Sequence, residues 1–315
     1  MRTVQASAPG RCGIIGNPSD IYGGVVVSCA IEPRNSCRLV LDGLGRRPDD
    51  LRLWEAAVAR FPLNSEWSVE WRDEVPRSSG LSGSTALLAA TLLCVLEVLG
   101  EAPALSASAA RVAFAELVRD VERHDAGIAC GFQDAYMIVH GGLQRMDFAG
   151  KDPAEQALRR PGPAGSISAL EGELPFLLVT TGVERLSGSV HGPMVERWLR
   201  GEAAVRDGMT RVGELGRLGA SAYGRSDWAG LAELMRENHR IVAGLGGSGE
   251  AIDALVSACE AEGALAAKLA GAGLGGTVIA LAEDLSDLEA RLRERGYSRF
   301  TRPALAAGVR LEPAA

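Results

Sequence analysis

An α+β fold is what the sequence predicts, on three observations. Short runs rich in β-branched residues are bounded by Gly, Pro or Asn; longer segments carry apolar residues at helical spacing; and no repeat of solenoid period is visible. Of the 315 residues, 47% are hydrophobic and 23% charged, a balance that fits a folded chain with one large domain or two closely packed ones. The formal net charge of −7, with no block of Lys or Arg, excludes a nucleic-acid scaffold and leaves room for a small anion met by a few arginines. Cys12, Cys29, Cys37, Cys94, Cys130 and Cys259 stand apart without a C-x-x-C pair and read as reduced, cytoplasmic thiols. The opening "MRTVQASAPGRCG" has no continuous apolar stretch. The longest apolar run, "ALLAATLLCVLEVLG", is too short to span a bilayer and contains Glu97, so neither export nor membrane insertion is expected.

The elements follow in order. "TVQASAP", "GGVVVSCAIEP" and "CRLVLDGL" read as strands, and "LRLWEAAVARFPLNSEWSVEWRDEVP" as a helix and then an edge strand. An apolar helix runs from Ser84 to about Leu99, and a second, "SASAARVAFAELVRDVERHDAG", has Ser106 or Ser108 as its N-cap. "AYMIVHGGLQRMDF" reads as two strands turned at Gly141-Gly142. "GKDPAEQALRRPGPAGS" concentrates Pro and Gly without apolar periodicity and marks a domain boundary, giving units 1–165 and 166–315. Beyond it "LPFLLVTTG" is a buried strand, 193–245 is mostly helical, "EAIDALVSACEAEGALAAKLAG" is helix, "GGTVIALA" is a strand and "DLSDLEARLRERG" a final helix.

Three glycine-bearing segments carry the chemistry. "PRSSGLSGSTALLAA", residues 76–90, runs small residues into a helix. Taken alone it is either a tight N-cap or a cradle in which backbone N–H groups and the helix dipole hold a polyphosphate. It is neither a P-loop, lacking G-K-[ST], nor G-x-G-x-x-G. "KLAGAGLGGTVIAL", 268–281, sets Gly271, Gly273, Gly275 and Gly276 between a helix and a strand, as a helix C-cap or a site of close backbone approach. "APGRCGIIGNPSDIYGG" places Arg11, Asn17 and Asp20 among glycines beside a strand.

In that order along the chain, A-P-G-[KR], P-x-x-x-G-L-x-x-S and K-x-x-G-x-G-x-G-G resemble the three motifs of the GHMP kinase superfamily. "AELVRDVERHDAGIACGFQDAY" is similar to the E-…-C-G-x-x-D segment of its sugar kinases. The resemblance spans essentially the whole chain. It implies a two-domain fold, with an N-terminal domain like ribosomal protein S5 domain 2 and a ferredoxin-like C-terminal domain. It also implies ATP and Mg²⁺ as cofactors.

Residue by residue, the resemblance implies that the backbone of Ser79, Gly80, Leu81, Ser82, Gly83, Ser84 and Thr85 wraps the ATP phosphates. Ser84 and Glu122 become the magnesium ligands, hard oxygen donors of the kind Mg²⁺ prefers. Asp134 becomes the catalytic carboxylate, as base or as orienting acceptor for the substrate hydroxyl, with Arg11 beside it facing the developing charge. Gly271, Ala272 and Gly273 close around the transferring phosphate and the substrate. Two departures stand out: Gly83 where Ser is common, and Leu274 within the third glycine run.

The first motif bears on the acceptor. Arg11 stands where mevalonate kinases carry Lys and sugar-1-kinases Arg, and "GNPSDI" stands where galactokinases read G-E-H-T-D-Y. Asp20 is retained as a hydroxyl acceptor and Asn17 replaces a carboxylate. The segment is most similar to glucuronokinases, and loss of a carboxylate suits an anionic sugar. Arg185 and His191 are the candidates to meet the sugar's own carboxylate, with Arg197 a weaker third. His124, His140 and His239 form no metal pattern and read as structural. The C-terminal half resembles the mevalonate-kinase branch more. The expected partner is a small-molecule sugar, met by a monomer or homodimer, with no nucleic acid and no membrane. A mevalonate-type kinase, another sugar kinase acting on galactose or a heptose, and a catalytically silent sugar sensor are the alternatives, and the adenine is expected near Asn64 to Trp67.

Overall fold

The computed structural model describes residues 2–75, 79–160, 162–183, 188–271 and 276–313, with backbone alone for 188–191. In chain order the elements are β1 (Arg2–Ile15), β2 (Val25–Leu41), α1 (Arg52–Arg60), β3 (Ser68–Asp73), α2 (Gly83–Leu99), α3 (Ser108–Asp120), α4 (Gln133–His140), β4 (Leu143–Asp147), α5 (Pro153–Ala157), β5 (Ser166–Ala169) and β6 (Phe176–Thr180). There follow α6 (Gly188–Leu199), α7 (Ala203–Gly224), α8 (Trp228–Gly244), α9 (Glu250–Ala261), β7 (Ala266–Leu269), β8 (Thr277–Leu281), α10 (Leu285–Glu294), β9 (Phe300–Thr301) and β10 (Arg310–Leu311).

Two antiparallel sheets organise these elements. The first runs β10-β1-β2-β4-β5, with β3 as an edge strand on β2, and packs its apolar face on α1 to α4. Within that layer α2 is buried on nearly every side, as its unbroken apolar composition requires. The second sheet runs β7-β8-β6-β9 and is covered by α8, α9 and α10.

The two halves meet along α7. Its Gly216 lies so close to the Val25 carbonyl and the Gly16 Cα that no side chain fits there, and Gly213 likewise abuts Gly24. Backbone-to-backbone packing therefore seats the turn between β1 and β2 directly on the second half. The end of β1 and that turn carry the glycine segment at residues 8–24, the first in chain order.

Several expectations are corrected. The two strands expected at 23–33 and 37–44 are one strand, β2, which passes Pro33 through an irregularity opposite Pro9/Gly10. A bulge tolerates a proline that a regular ladder would not. "AYMIVH" is the helix α4 rather than a strand, because Asp20 accepts hydrogen bonds from the Phe132 and Gln133 amides at 2.6 and 2.9 Å and caps it from 112 residues away. The helix expected to run to Gly271 ends at Ala261, and Ala266–Leu269 is the fully buried strand β7, so the third glycine segment joins two strands. The cap of α3 is Ala107, not Ser106 or Ser108. As for the boundary at 165/166, β5 pairs with β4 and β10 with β1, so both strands complete the first sheet from beyond it.

Candidate active site

The small-residue loop ends in the helix it announced. Ser82 takes left-handed backbone angles (φ 63°, ψ 39°) and makes no side-chain cap, and its buried Oγ has no hydrogen-bond partner among the described residues. The Gly83, Ser84 and Thr85 amides precede the first intrahelical bond, which runs from Ala86 N to Ser82 O at 3.0 Å. Uncapped amides with an orphaned hydroxyl at the positive end of a 17-residue helix form a ready receptor for an anion. Asn35, itself buried, braces the loop: its Nδ2 donates to Gly83 O at 2.9 Å, and its Oδ1 accepts from the Glu74 and Val75 amides.

The other two segments converge on this loop. The Arg11 amide donates to Leu81 O at 3.1 Å and the Arg11 guanidinium to Gly80 O at 2.6 Å. The Gly13 amide donates to Ala270 O at 2.9 Å. A Cβ placed on Gly271 would lie 2.5 Å from Gly80 O, and one on Gly276 would strike Ser79 O, so both glycines are required by the approach of the backbones. Residues more than 190 apart in sequence are thus neighbours at one point.

Beside that point lie two acidic groups. Arg11, 6% exposed, holds Asp134 through its Nε at 2.7 Å and its Nη2 at 2.5 Å, both on Oδ1. Asp134 Oδ2 has no partner among the described residues, and the side chain keeps 22% of its surface open. A carboxylate anchored by one oxygen and open at the other is suited to accept a hydroxyl proton. Glu122 sits in a single π-helical turn, Val121–Asp125, that follows α3. It accepts from Ser84 Oγ at 3.0 Å and from Thr85 Oγ1 at 2.9 and 2.8 Å. Burial, then the like charge of Asp134, pushes the Glu122 carboxyl up to about 7 against the opposing hydrogen bonds from Thr85, Ser84 and Cys130. A buried carboxylate beside a second carboxylate, with hydroxyl oxygens as its neighbours, is a set of hard oxygen donors. The residues present therefore fit Mg²⁺.

Asn17 and Asp20 are brought to the same region but turn inward. Asn17 is 1% exposed, donates from Nδ2 to Gly271 O at 3.0 Å and accepts at Oδ1 from Lys268 Nζ at 2.6 Å. Asp20, 2% exposed, spends Oδ2 on the α4 cap. Arg197 is tied to Glu202 and to Leu245 O. Arg185, Ala272 and Gly273 lie outside the described residues, and His191 is described only as backbone of α6. His124 and His239 stand near Asp120 and Asp253, and His140 Nδ1 near Tyr136 O. Asn64 to Trp67 lies at the far end of β3 from the loop, roughly 20 Å away at the rise of an extended strand. Its Asn64, Ser65 and Glu66 line a cavity of about 350 Å³ with Arg47 and Trp54.

Sequence reasoning gave no role to Lys268 or Asn238. Asn238 joins the site through Gly16 N to Oδ1 at 2.8 Å and Nδ2 to Asn17 O at 3.1 Å. Lys268 had a signal, a lone charge in the apolar run "ALAAKLAG"; Asn238 had none.

Residues 52–142 match the model for the GHMP kinases N terminal domain, and 220–298 the model for GHMP kinases C terminal. Glucuronokinase 1 of Arabidopsis thaliana is 30% identical over 268 aligned positions, covering 73% of this chain and 72% of that protein. The chain belongs to the GHMP kinase family. A mevalonate kinase of Aeropyrum pernix is 27% identical, covering 99% of each chain. Among solved structures, Lactococcus lactis galactokinase complexed with galactose superposes with a TM-score of 0.76 at 16% identity, covering 98% of this chain and 95% of that one. The two-domain α+β fold expected from the motifs is therefore the fold of this GHMP kinase. No helix among its described residues is long and apolar enough to cross a membrane.

Proposed function

We propose that this GHMP kinase transfers the γ-phosphoryl group of ATP to the anomeric hydroxyl of a sugar, converting glucuronic acid to glucuronic acid 1-phosphate. The observation that carries the reading is the Arg11–Asp134 pair, fixed at the meeting point of the Gly80 and Gly271 backbones with one carboxylate oxygen open. Phosphoryl transfer asks chiefly for in-line positioning and for donors facing the phosphate oxygens. The Ser79–Thr85 backbone and Ser82 Oγ hold the phosphates, and Arg11 faces the charge that develops. Asp134 Oδ2 receives or orients the acceptor hydroxyl. Ser84 and Glu122 would hold Mg²⁺, which would supply positive charge to the phosphates and to the buried carboxylate. Asn17 and Asp20 shape the acceptor side by fixing its turn. The glucuronokinase relatives favour a sugar acid as acceptor.

The test is ADP release across uronic acids, neutral hexoses, heptose phosphates and mevalonate. Turnover of a uronic acid supports the proposal; inactivity on every anomeric sugar overturns it. A second reading, a mevalonate-type kinase, is favoured by the end-to-end match to an archaeal mevalonate kinase and predicts turnover of mevalonate alone.

A further inference from the structure

Lys268 is a lysine with no surface: it is wholly buried in β7. Its Nζ donates to Asn17 Oδ1 at 2.6 Å and to Leu269 O at 2.7 Å, both neutral, and among the described residues no carboxylate pairs with it. Burying an ammonium without a counter-charge is strongly unfavourable, and a chain that keeps one there forgoes a better-packed apolar side chain. Burial pushes Lys268 down to about 7; Cys12 opposes that shift and Arg11 adds to it. Asn17, its main partner, links it to Gly271 O in the third glycine segment. Gly13 brings it next to Gln133, since the Asn17 carboxamide and Gln133 Nε2 each lie 2.8 Å from where a Gly13 Cβ would be. Gln133 directly precedes Asp134 in sequence. The uncompensated charge therefore lies one side chain behind the acceptor side of the site.

We propose that Lys268 and Asn17 are the charge-selecting pair of the acceptor pocket, favouring an acceptor that carries a carboxylate. The proposal rests on the reading that the Asn17 turn borders the acceptor, and it deepens that reading by naming the acceptor's charge. Lys268 acts through Asn17 as a positioning residue. Its ammonium fixes which end of the carboxamide faces Gly271, and its field reaches an anion bound beyond. Because residue 17 is neutral, the field is left for the ligand; a carboxylate at 17 would cancel it within the protein. The titratable and charged groups around Lys268 are Cys12 and Arg11 from β1 and His239 from α8, where the Lys268 charge helps lower His239. None of them is a carboxylate.

The test compares matched acid and neutral acceptors, glucuronate with glucose and mevalonate with its amide, by kcat/KM in wild type, Asn17→Asp and Lys268→Met. Asn17→Asp is nearly isosteric and keeps the cation paired but cannot donate to Gly271 O as the carboxamide does, so the acid-to-neutral ratio, not either rate alone, decides the matter even if Lys268→Met melts early. The acid-to-neutral ratio is expected to fall at least tenfold in Asn17→Asp, mostly through KM for the acid. In wild type the same ratio is expected to fall as pH rises from 6 to 8.5, since the lysine loses its proton through about 7, and to stay flat in Asn17→Asp. A ratio within twofold of wild type in Asn17→Asp, or a wild type that prefers the neutral hexose, overturns the pair and leaves the kinase reading standing. The same charge dependence with mevalonate alone overturns the sugar reading and leaves the pair standing.

Discussion

At the start of α2 the groups that the proposed reading offers to a phosphate are consecutive in sequence, Ser82 to Thr85, and the Ser82 Oγ has no hydrogen-bond partner among the described residues. On the proposed acceptor side Arg11, Asn17, Asp20, Asp134 and Lys268 come from across the chain, and most of their polar atoms are already bonded to one another or to backbone. The phosphate side can be written into any loop that enters a helix, because backbone amides and a helix dipole do not depend on side-chain identity. The acceptor side depends on a buried polar network, in which each member is costly unless satisfied. Specificity belongs to the second kind of construction, and so does sensitivity to substitution.

The largest effect that separates the two sides is expected from Asp134→Asn. It should lower kcat about 10²- to 10⁴-fold, while calorimetry shows nucleotide binding unchanged, because the phosphate loop is untouched. If turnover survived, Asp134 would not be the acceptor's partner and the division into two sides would be wrong.

Glu122 tests the phosphate side through stability. Its folded-state carboxyl is raised to about 7, above the ordinary value, so the folded protein holds a proton there that the unfolded chain releases first. The stability it contributes is full below the ordinary carboxylate range and is lost as pH rises toward 7. In metal-free protein the unfolding free energy should therefore fall across that window, by at most about 1.4 kcal/mol per pH unit from this group. Glu122→Gln should flatten that slope, and added Mg²⁺ with nucleotide should reverse the sign of the comparison by stabilising wild type more than the variant. Denaturant melts at pH 5, 6 and 7 read both.

Gly271→Ala sharpens the contact between the sides. Its Cβ would meet Gly80 O at 2.5 Å, so one backbone must move. A loss of about 1–3 kcal/mol in stability is expected, with a raised KM for ATP. Gly244→Ala, where a Cβ meets nothing within 4 Å, serves as the neutral control. The smallest effect is expected for Asp20→Ala, which removes the remote cap of α4 and should cost about 0.5–2 kcal/mol in unfolding free energy, with a further rise in acceptor KM as Asp134 loses its fixed position on that helix.

The same contrast explains what was legible in the sequence. The loop at 76–90 and the helix after it could be read because glycine, serine and apolar spacing are local signals. The long helices of the second half announced themselves by periodicity. Arg11, Glu122 and Asp134 were found through the motif resemblance; their spacing alone would not have paired Arg11 with a residue 123 positions away. The run "AYMIVH" misled because its β-branched and aromatic residues fit a strand, while the deciding cap comes from Asp20. β7 was lost inside a helical pattern because alanine-rich segments suit both, and its burial between β8 and the helices decided the outcome. β9 and β10 are two residues each, below any sequence signal. Asn17 and Asp20 were expected to face the substrate; their inward bonds depend on Gly271, Lys268 and α4, which no local pattern links to them.

The central claim is that loops from opposite ends of the chain hold one nucleotide beside the open oxygen of Asp134. A crystal structure with ADP, Mg²⁺ and glucuronic acid tests it most directly. The account predicts phosphate oxygens on the Gly83, Ser84 and Thr85 amides, the metal between Ser84 and Glu122, and the anomeric hydroxyl on Asp134 Oδ2. Phosphates bound away from that helix start, or an acceptor whose hydroxyl faces elsewhere, would contradict it.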